Sequence, residues 1–288
     1  MRSSRVRAVG TLALASAVAA GAAILVGTSR TRRDVEALTG ALLADARRDS
    51  DRVFTAGDLE GLPDPVARYL ETVITEGRPY VSRVTLRQRG GFRLGDADSP
   101  WKPLSATQRY TVSPPGFVWD ARVEVAPFLP VRVVDAYEGG EGLLRAKLLS
   151  AIPVASSTPS PELNAGELSR YLAEAVWFPT ALLPGEGVEW EPRDDSSARA
   201  TLTHRGTTVS LAFHFDDRNL VERVVSEDRY REVDGAFEPT RWTGRFRNYA
   251  DRGGMRIPLD GEAAWNLPDG DLPYWRGSVE RVEYRPAE

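Results

Sequence analysis

Histidine and carboxylate side chains are the first candidates for chemistry in this sequence, which has two histidines, His204 and His214. His214 and Asp216 would share one face of a strand, where they could bind a metal or transfer a proton. A second interpretation starts from the phenylalanines at positions 213 and 215. If these face the core, the imidazole faces solvent and Asp216 begins the turn that ends the strand. We favour this second interpretation, and the sequence predicts no metal ligand.

Carboxylates offer a different chemistry, because two of them brought together can act as acid and base. The chain has 41 acidic residues, and no spacing rule selects a pair among them. The candidates for convergence are Asp120, Asp135, Glu174 and Glu262, with Arg170 or Arg276 as a neighbouring cation. An envelope enzyme with clustered carboxylates therefore stays open as an alternative. The sequence has no G-x-S-x-G elbow, no H-E-x-x-H and no glycine-rich phosphate loop, and it predicts no cofactor.

Aromatic side chains carry more information than the ionisable ones. Seven tryptophans, at positions 101, 119, 177, 190, 242, 265 and 275, are spread over nearly all of the predicted strands and beside the predicted central helix. Most are expected in the core, but a curved sheet with one helix against it can leave an apolar cleft that fits a lipid tail. The residues predicted to line this cleft are Trp119, Tyr137, Trp177, Phe178, Phe213 and Trp242.

Alternation of apolar and polar residues predicts that β-strands position these side chains. The alternation is clearest from Phe117 to Val125 and from Val209 to Phe215. After residue 187, turn residues recur at the spacing expected of an antiparallel sheet. The segment Ile152 to Asn164 is rich in proline and serine, and it is predicted to be a surface loop.

Apolar residues at helical spacing predict two helices within this β-rich chain. The first begins at Asp64-Pro65, an N-cap followed by a first-turn proline. The second is a central helix from Asn164 to Phe178, which begins with a capping-box pattern. The face opposite its apolar stripe carries Glu167, Arg170 and Glu174, which is typical of a solvated face with intrahelical pairing.

An uncharged segment near the N-terminus predicts where the domain works. Residues 8–28 carry no charge and lie between two groups of three arginines. At about 1.5 Å per residue they span roughly 31 Å, the thickness of the hydrocarbon core of a bilayer. We therefore predict an anchor within residues 1–33 rather than a cleaved signal, because cleavage at Ala22 would leave an apolar N-terminus. The expected location is the cell membrane, single-pass with the domain outside the cytoplasm, or secreted if the segment is cleaved.

Charge and cysteine content narrow the partners of the remaining chain. Removing the first 33 residues removes six arginines and no acidic residue, which leaves 31 basic and 41 acidic side chains and a net charge of −10. An acidic body disfavours nucleic acid as a partner. The chain has no cysteine, which excludes disulfides and thiolate metal sites. The predicted partners are the membrane, through residues 8–28, and a lipid or other apolar small molecule.

Four ordered blocks resemble a bacterial family of uncharacterised proteins, domain of unknown function 6544 (DUF6544). The blocks are WKPLSATQ from Trp101, PPGFVWDA from Pro114, RYLAEAVWFPTALLP from Arg170 and YWR from Tyr274. The resemblance covers about Pro63 to Tyr284 and implies no activity. The order of the predicted elements is similar to the half-barrel of LolA and LppX-type envelope lipid carriers, in which a bent antiparallel sheet wraps helices and an apolar cavity. Such an architecture does not fix a function.

These observations predict an α+β protein that is mostly β. A strongly curved antiparallel sheet with a central helix and N-terminal helices would follow one transmembrane helix. The predicted divisions are the anchor at 1–33, a helical stalk at 34–62 and one extracytoplasmic domain at 63–288. The predicted function is binding of a lipid or other apolar ligand in the cleft of the sheet. The alternatives are the carboxylate enzyme and a structural envelope protein with a protein partner.

Overall fold

The structure is a computed structural model that describes residues 2–46 and 51–286, and for residues 2–20 it describes the backbone alone. Three α-helices and thirteen β-strands occupy the described ranges. The helices are α1 (Arg2–Ala44), α2 (Asp64–Val73) and α3 (Pro161–Glu174). The strands are β1 (Val81–Arg93), β2 (Trp101–Thr111), β3 (Gly116–Ala126), β4 (Leu129–Glu138), β5 (Glu141–Leu148), β6 (Ile152–Ser157), β7 (Val188–Asp194), β8 (Ser197–His204), β9 (Thr207–Phe215), β10 (Val221–Val233), β11 (Ala236–Arg252), β12 (Met255–Leu267) and β13 (Gly270–Pro286).

The described strands form one antiparallel sheet that curls into a half-barrel. Its order is β6-β5-β4-β3-β2-β1-β13-β12-β11-β10-β9-β8-β7, so the first and last strands of the sequence pair at its centre. The connection from β6 to β7 therefore crosses from one edge of the sheet to the other, and α3 makes this crossing on the concave face. Two 3₁₀ turns, Ala175–Trp177 and Pro179–Leu182, complete it. The mostly β, half-barrel architecture predicted from the sequence is confirmed.

Strand direction gives the half-barrel two distinct ends. The end that carries the β1–β2, β3–β4 and β5–β6 turns is called the upper end; these turns are residues 94–100, 127–128 and 149–151. The lower end carries the turns at 112–115, 139–140 and 253–254. At the lower end α2 presents Tyr69 to Phe215, with ring centroids 5.5 Å apart, and Ile74 just after the helix bridges to Met255. Helix α2 and the 3₁₀ turns thus pack into the lower half of the concave face.

The two strands predicted from alternation are present as β3 and β9. Along β3 the concave face carries Phe117, Trp119, Ala121 and Val123, all buried. Between them, Val118 points to the convex face, as the period of two requires.

The surface loop predicted at Ile152 to Asn164 is wrong in its first half, which forms β6. This strand lies at the edge of the sheet, where Pro153 needs no second partner strand. The helix start was also misplaced, because Ser160 caps α3 by accepting from the amide of Leu163. Asn164 instead accepts a hydrogen bond from the Gly142 amide at 2.7 Å.

The end of α1, which belongs to the segment predicted as a helical stalk, packs on the convex face of the sheet. Val35 and Leu42 are buried against Val118, Val134 and Ala136 of β3 and β4. The apolar side of this part of α1 thus covers apolar residues of the sheet that point away from the concave face. The predicted anchor, residues 8–28, lies mostly outside the residues whose side chains are described. Within the described part of the chain, no helix is long and apolar enough to cross a membrane.

Candidate functional site

A cavity of about 360 Å³ occupies the upper half of the concave face. Below it lie α3 and the 3₁₀ turn that contains Trp177, and above it lies the β1–β2 turn, which contributes Gly95. The side chains around it come from α3 and from strands on both sides of the sheet centre. The principal lining residues are Phe92, Trp119, Val133, Asp135, Leu144, Arg170, Ala173, Glu174, Trp177, Arg229, Trp242, Phe246, Glu262, Ala263, Trp265, Tyr274 and Trp275.

Five of the seven tryptophans line this cavity, and each is held by its own contacts. The Trp177 ring packs edge-on against Trp275, with centroids 6.3 Å apart, and its indole N–H donates to the Pro258 carbonyl at 3.1 Å. Trp242 donates to the Tyr274 hydroxyl at 3.0 Å. Such contacts fix large apolar rings at low entropic cost, which gives the cavity a rigid aromatic wall.

Arg170 forms the polar floor of the cavity by joining two carboxylates. Its Nη1 donates to Asp135 Oδ2 at 2.5 Å and its Nε donates to Glu174 Oε1 at 2.9 Å. The guanidinium also lies 4.9 Å from the ring centroids of Phe117 and Trp119. A planar guanidinium suits this position because it can bond to carboxylates in its plane while its faces contact aromatic rings.

Burial and mutual charge set the proton affinities of this floor. Burial opposes the charge on Arg170, but the carboxylates of Glu174 and Asp135 outweigh it and raise the arginine pKa. Burial raises the pKa of Asp135, and Arg170 opposes that rise. Burial, followed by the neighbouring Asp135, raises the pKa of Glu167 to about 8. Glu167 therefore holds its proton at neutral pH, which limits the negative charge buried beneath the cavity.

Glu167 makes the stability of the fold depend on pH. A carboxyl whose pKa rises on folding binds its proton more tightly in the folded state, so stability falls as pH rises from about 4.5 to about 8. We expect Glu167→Gln to flatten this decline and to be more stable than the wild type at pH 9, measured by urea unfolding across the pH range. Glu162→Gln, at a partly exposed position of the same helix, should keep the wild-type slope. If stability declined with pH as steeply in Glu167→Gln as in the wild type, the raised pKa of Glu167 would be contradicted.

Arg229 is the second cation at the cavity and has fewer partners than Arg170. Its Nη1 donates to the Tyr274 hydroxyl at 3.3 Å, and its guanidinium lies 4.9 Å from the Trp242 ring and 5.6 Å from the Trp265 ring. Its Nε is buried without a hydrogen-bond partner among the described residues. Its charge lowers the pKa of Asp135 and of Glu167, but its described direct contacts are the tyrosine hydroxyl and the two indole rings, and it lines the cavity, where an anionic group can reach it.

Of the six residues predicted to line a cleft, the structure places Trp119, Trp177 and Trp242 at the cavity. The other three pack in the core around it. Tyr137 lies beside His204, with its hydroxyl 3.1 Å from Nδ1, and Phe178 packs on Tyr110. Phe213 packs against Trp190, with centroids 5.1 Å apart.

The carboxylates considered for an enzyme are only partly brought together. Asp135, Glu174 and Glu262 line the cavity with Arg170. Asp120 pairs with Arg132 instead, through two bonds of 2.7 and 2.8 Å. Because Trp119 and Trp275 face the cavity, their neighbours Asp120 and Arg276 point to the convex face. Among the described residues, no three metal-binding side chains gather at one place.

The interpretation of Glu167, Arg170 and Glu174 as a solvated face is wrong. Helix α3 lies inside the curl of the sheet, so strands cover the side that its apolar stripe leaves open. The sequence did not identify Trp265, Tyr274, Trp275 or Arg229 as lining residues. Alternation of apolar and polar residues could have shown which face of β12 carries Trp265. It could not have shown that Arg229 of β10 meets Tyr274 of β13, because local patterns do not predict how distant strands are arranged.

Comparison with known proteins identifies a family. A model described as a family of unknown function (DUF6544) matches residues 52–277. No curated protein matches the sequence. A LolA superfamily protein from Nitrosomonas europaea is a solved structure with a similar fold, at 12% identity and a TM-score of 0.39. The similarity covers 81% of this chain and 94% of that one.

Proposed function

We propose that this chain, which belongs to the family of unknown function DUF6544, binds an amphipathic ligand with an apolar tail and an anionic head. The observation that carries the proposal is the cavity of about 360 Å³ with five tryptophans in its wall and two arginines beside it. Its volume lies in the range of about 300–1,000 Å³ that small-molecule sites occupy. Residues 8–28 would keep the domain beside the membrane that supplies such a ligand.

The aromatic wall supports an apolar tail as the part of the ligand that enters. Protein interiors pack closely, and a space of this size between large apolar side chains is unusual in a core that has only to be stable. Burial of a tail there contributes about 0.8 kcal/mol for each methylene removed from water.

Arg229 supports an anionic head at the upper part of the cavity. Arg170 is held in two ion pairs, with Asp135 and Glu174, whereas Arg229 makes its direct contacts with a tyrosine hydroxyl and two indole faces and acts on Asp135 and Glu167 only through its charge. A carboxylate or phosphate oxygen bound to Arg229 would form the kind of charge-assisted hydrogen bond that the described residues do not supply.

A comparison of two ligands tests both parts of the proposal. We expect a long-chain fatty acid and the alcohol of the same chain length to bind the wild type and to change its tryptophan fluorescence. Arg229→Gln should weaken binding of the acid by about tenfold or more, because a hydrogen bond to a charged group contributes about 1.5–3 kcal/mol. The alcohol should bind both proteins about equally.

The matched control is Arg223→Gln, which changes an exposed arginine of the same strand. It should leave the affinity for both ligands unchanged. Equal weakening of acid and alcohol by Arg229→Gln would contradict the anionic head, and absence of binding by the wild type would contradict the ligand itself.

The carboxylate enzyme has less support from the geometry. A general base needs a carboxylate free to accept a proton. Arg170 pairs with both Asp135 and Glu174, and Glu174 accepts further bonds from Gln108 at 2.7 Å and Tyr110 at 2.9 Å. These bonds engage both oxygens of Glu174, whereas Oδ1 of Asp135 is buried without a hydrogen-bond partner among the described residues. The ion pairs with Arg170 nevertheless favour the charged forms of both carboxylates and hold them in place, which suits the floor of a binding site.

A further inference from the structure

Large apolar side chains are exposed at one place on the upper end of the half-barrel. Phe128, in the β3–β4 turn, is 94% exposed, and Leu129 follows it at 40%. Ile152 and Val154 of β6 are more than half exposed as well. We call these four residues the apolar rim. Exposed apolar side chains that lie together mark an interaction surface.

The strand register places the members of the rim beside one another. Leu148, at the end of β5, pairs with Val131 on one side and with Ile152 on the other. The turns next to these pairs also meet, because the Leu149 amide donates to the Pro130 carbonyl at 2.8 Å. The β3–β4 turn and the start of β6 therefore form one continuous surface.

Helix α1 passes the same place as it leaves the sheet. The Thr31 hydroxyl donates to the Ser150 carbonyl at 2.9 Å, and Gly27 lies directly against Ala151. Immediately before Gly27, Leu25 and Val26 are 72% and 50% exposed. The uncharged run of residues 8–28 thus departs from the domain beside the apolar rim.

A polar groove next to the rim is basic. Its volume is about 400 Å³, and Thr28, Pro130 and Ser150 connect it to the rim and to α1. Its charged lining residues are Arg87, Arg89, Arg122 and Arg132 against Asp120 and Glu280. Three of these arginines form ion pairs, Arg89 with Glu280 at 2.8 Å, Arg122 with Glu124 at 2.6 Å and Arg132 with Asp120 at 2.7 Å, and no ion pair among the described residues includes Arg87. In the more exposed pairs, those of Arg89 and Arg122, the guanidinium group can exchange a carboxylate for a lipid phosphate, so the groove suits anionic headgroups on a domain that is acidic as a whole.

We infer that the upper end of the half-barrel rests on the surface of a bilayer that contains anionic lipid. The apolar rim enters the interface, where aromatic and large aliphatic side chains are favoured, while the groove contacts headgroups. The β1–β2 turn at this end contributes Gly95 to the cavity lining, so the cavity lies at the membrane side of the domain. This inference does not depend on what the cavity binds.

Site-specific labelling of the full chain tests the orientation, since the protein has no cysteine of its own. Phe128→Cys carries a fluorophore on the rim, and Glu141→Cys carries it at the lower end, on an exposed residue after the β4–β5 turn. Each labelled protein is mixed with vesicles of phosphatidylcholine and phosphatidylglycerol in which some acyl chains carry a nitroxide quencher.

We expect the label at residue 128 to lose most of its fluorescence and the label at residue 141 to keep it. Quenching that is equal at the two sites, or greater at residue 141, would overturn the proposed orientation. An unquenched label at both sites would overturn contact of the rim with the bilayer. Vesicles of phosphatidylcholine alone should quench residue 128 less, and equal quenching would overturn the part of the inference that concerns anionic lipid.

Discussion

Arg170→Met should lower the free energy of unfolding by about 3–5 kcal/mol, because removing one partner of a buried ion pair leaves the other charge buried without compensation. The side chain of Arg170 is 15% exposed and that of Asp135 is 11% exposed. Removing the guanidinium leaves Asp135 and Glu174 close together without their shared cation, and it also removes the contacts with two aromatic rings. Urea unfolding of the purified variant measures the loss.

An exposed arginine provides the matched control for this prediction. Arg241 pairs with Glu227 at 3.0 Å, and more than half of each side chain is exposed. Arg241→Met should cost no more than about 1 kcal/mol, because solvent already screens such a pair. A loss below about 1 kcal/mol in Arg170→Met would contradict the role of Arg170 as the cation that holds the floor of the cavity.

Ala263→Phe should abolish ligand binding while the fold is retained. Ala263 lies in β12 with its side chain at the cavity, between Gly244 of β11 and Trp275 of β13 in the sheet. A phenyl ring there occupies space that the tail needs. If it excludes four methylenes, the loss is about 3 kcal/mol, which corresponds to more than about a hundredfold in affinity.

Ala236→Phe is the control, because it makes the same change at an exposed alanine at the start of β11. It should bind the fatty acid and the alcohol as the wild type does. Thermal unfolding of both variants separates a filled cavity from a damaged fold. Wild-type affinity in a folded Ala263→Phe protein would contradict the placement of the tail.

The sequence predicted the strands that have one buried face, and it predicted them for a physical reason. In β3 and β9 the alternation of apolar and polar residues is regular, because one face meets the core. The prediction failed at β6, which is an edge strand without a buried face. Its exposed residues include Ile152 and Val154. An edge strand of this kind has no alternating pattern to detect, and its proline and serine content resembles that of a loop.

Candidate site residues were predictable only as far as local patterns reach. Trp119 was placed correctly on the concave face because its own strand shows which face is buried. Arg170 was assigned to solvent, since a helix with one apolar stripe usually has a solvated opposite face. The curl of the sheet around α3 decides otherwise, and it depends on the pairing of β1 with β13, which are far apart in the sequence. Arg229 meets Tyr274 through the same long-range order.

Mass spectrometry of organic extracts from the purified full chain tests the central claim most directly. We predict an anionic lipid or fatty acid in about stoichiometric amount in the wild type, and a marked loss of that species in Ala263→Phe. The comparison is necessary because the uncharged run at residues 8–28 could retain lipid outside the cavity in both proteins. Equal amounts of the same lipids in the two extracts, or no lipid in the wild type, would contradict binding in the cavity.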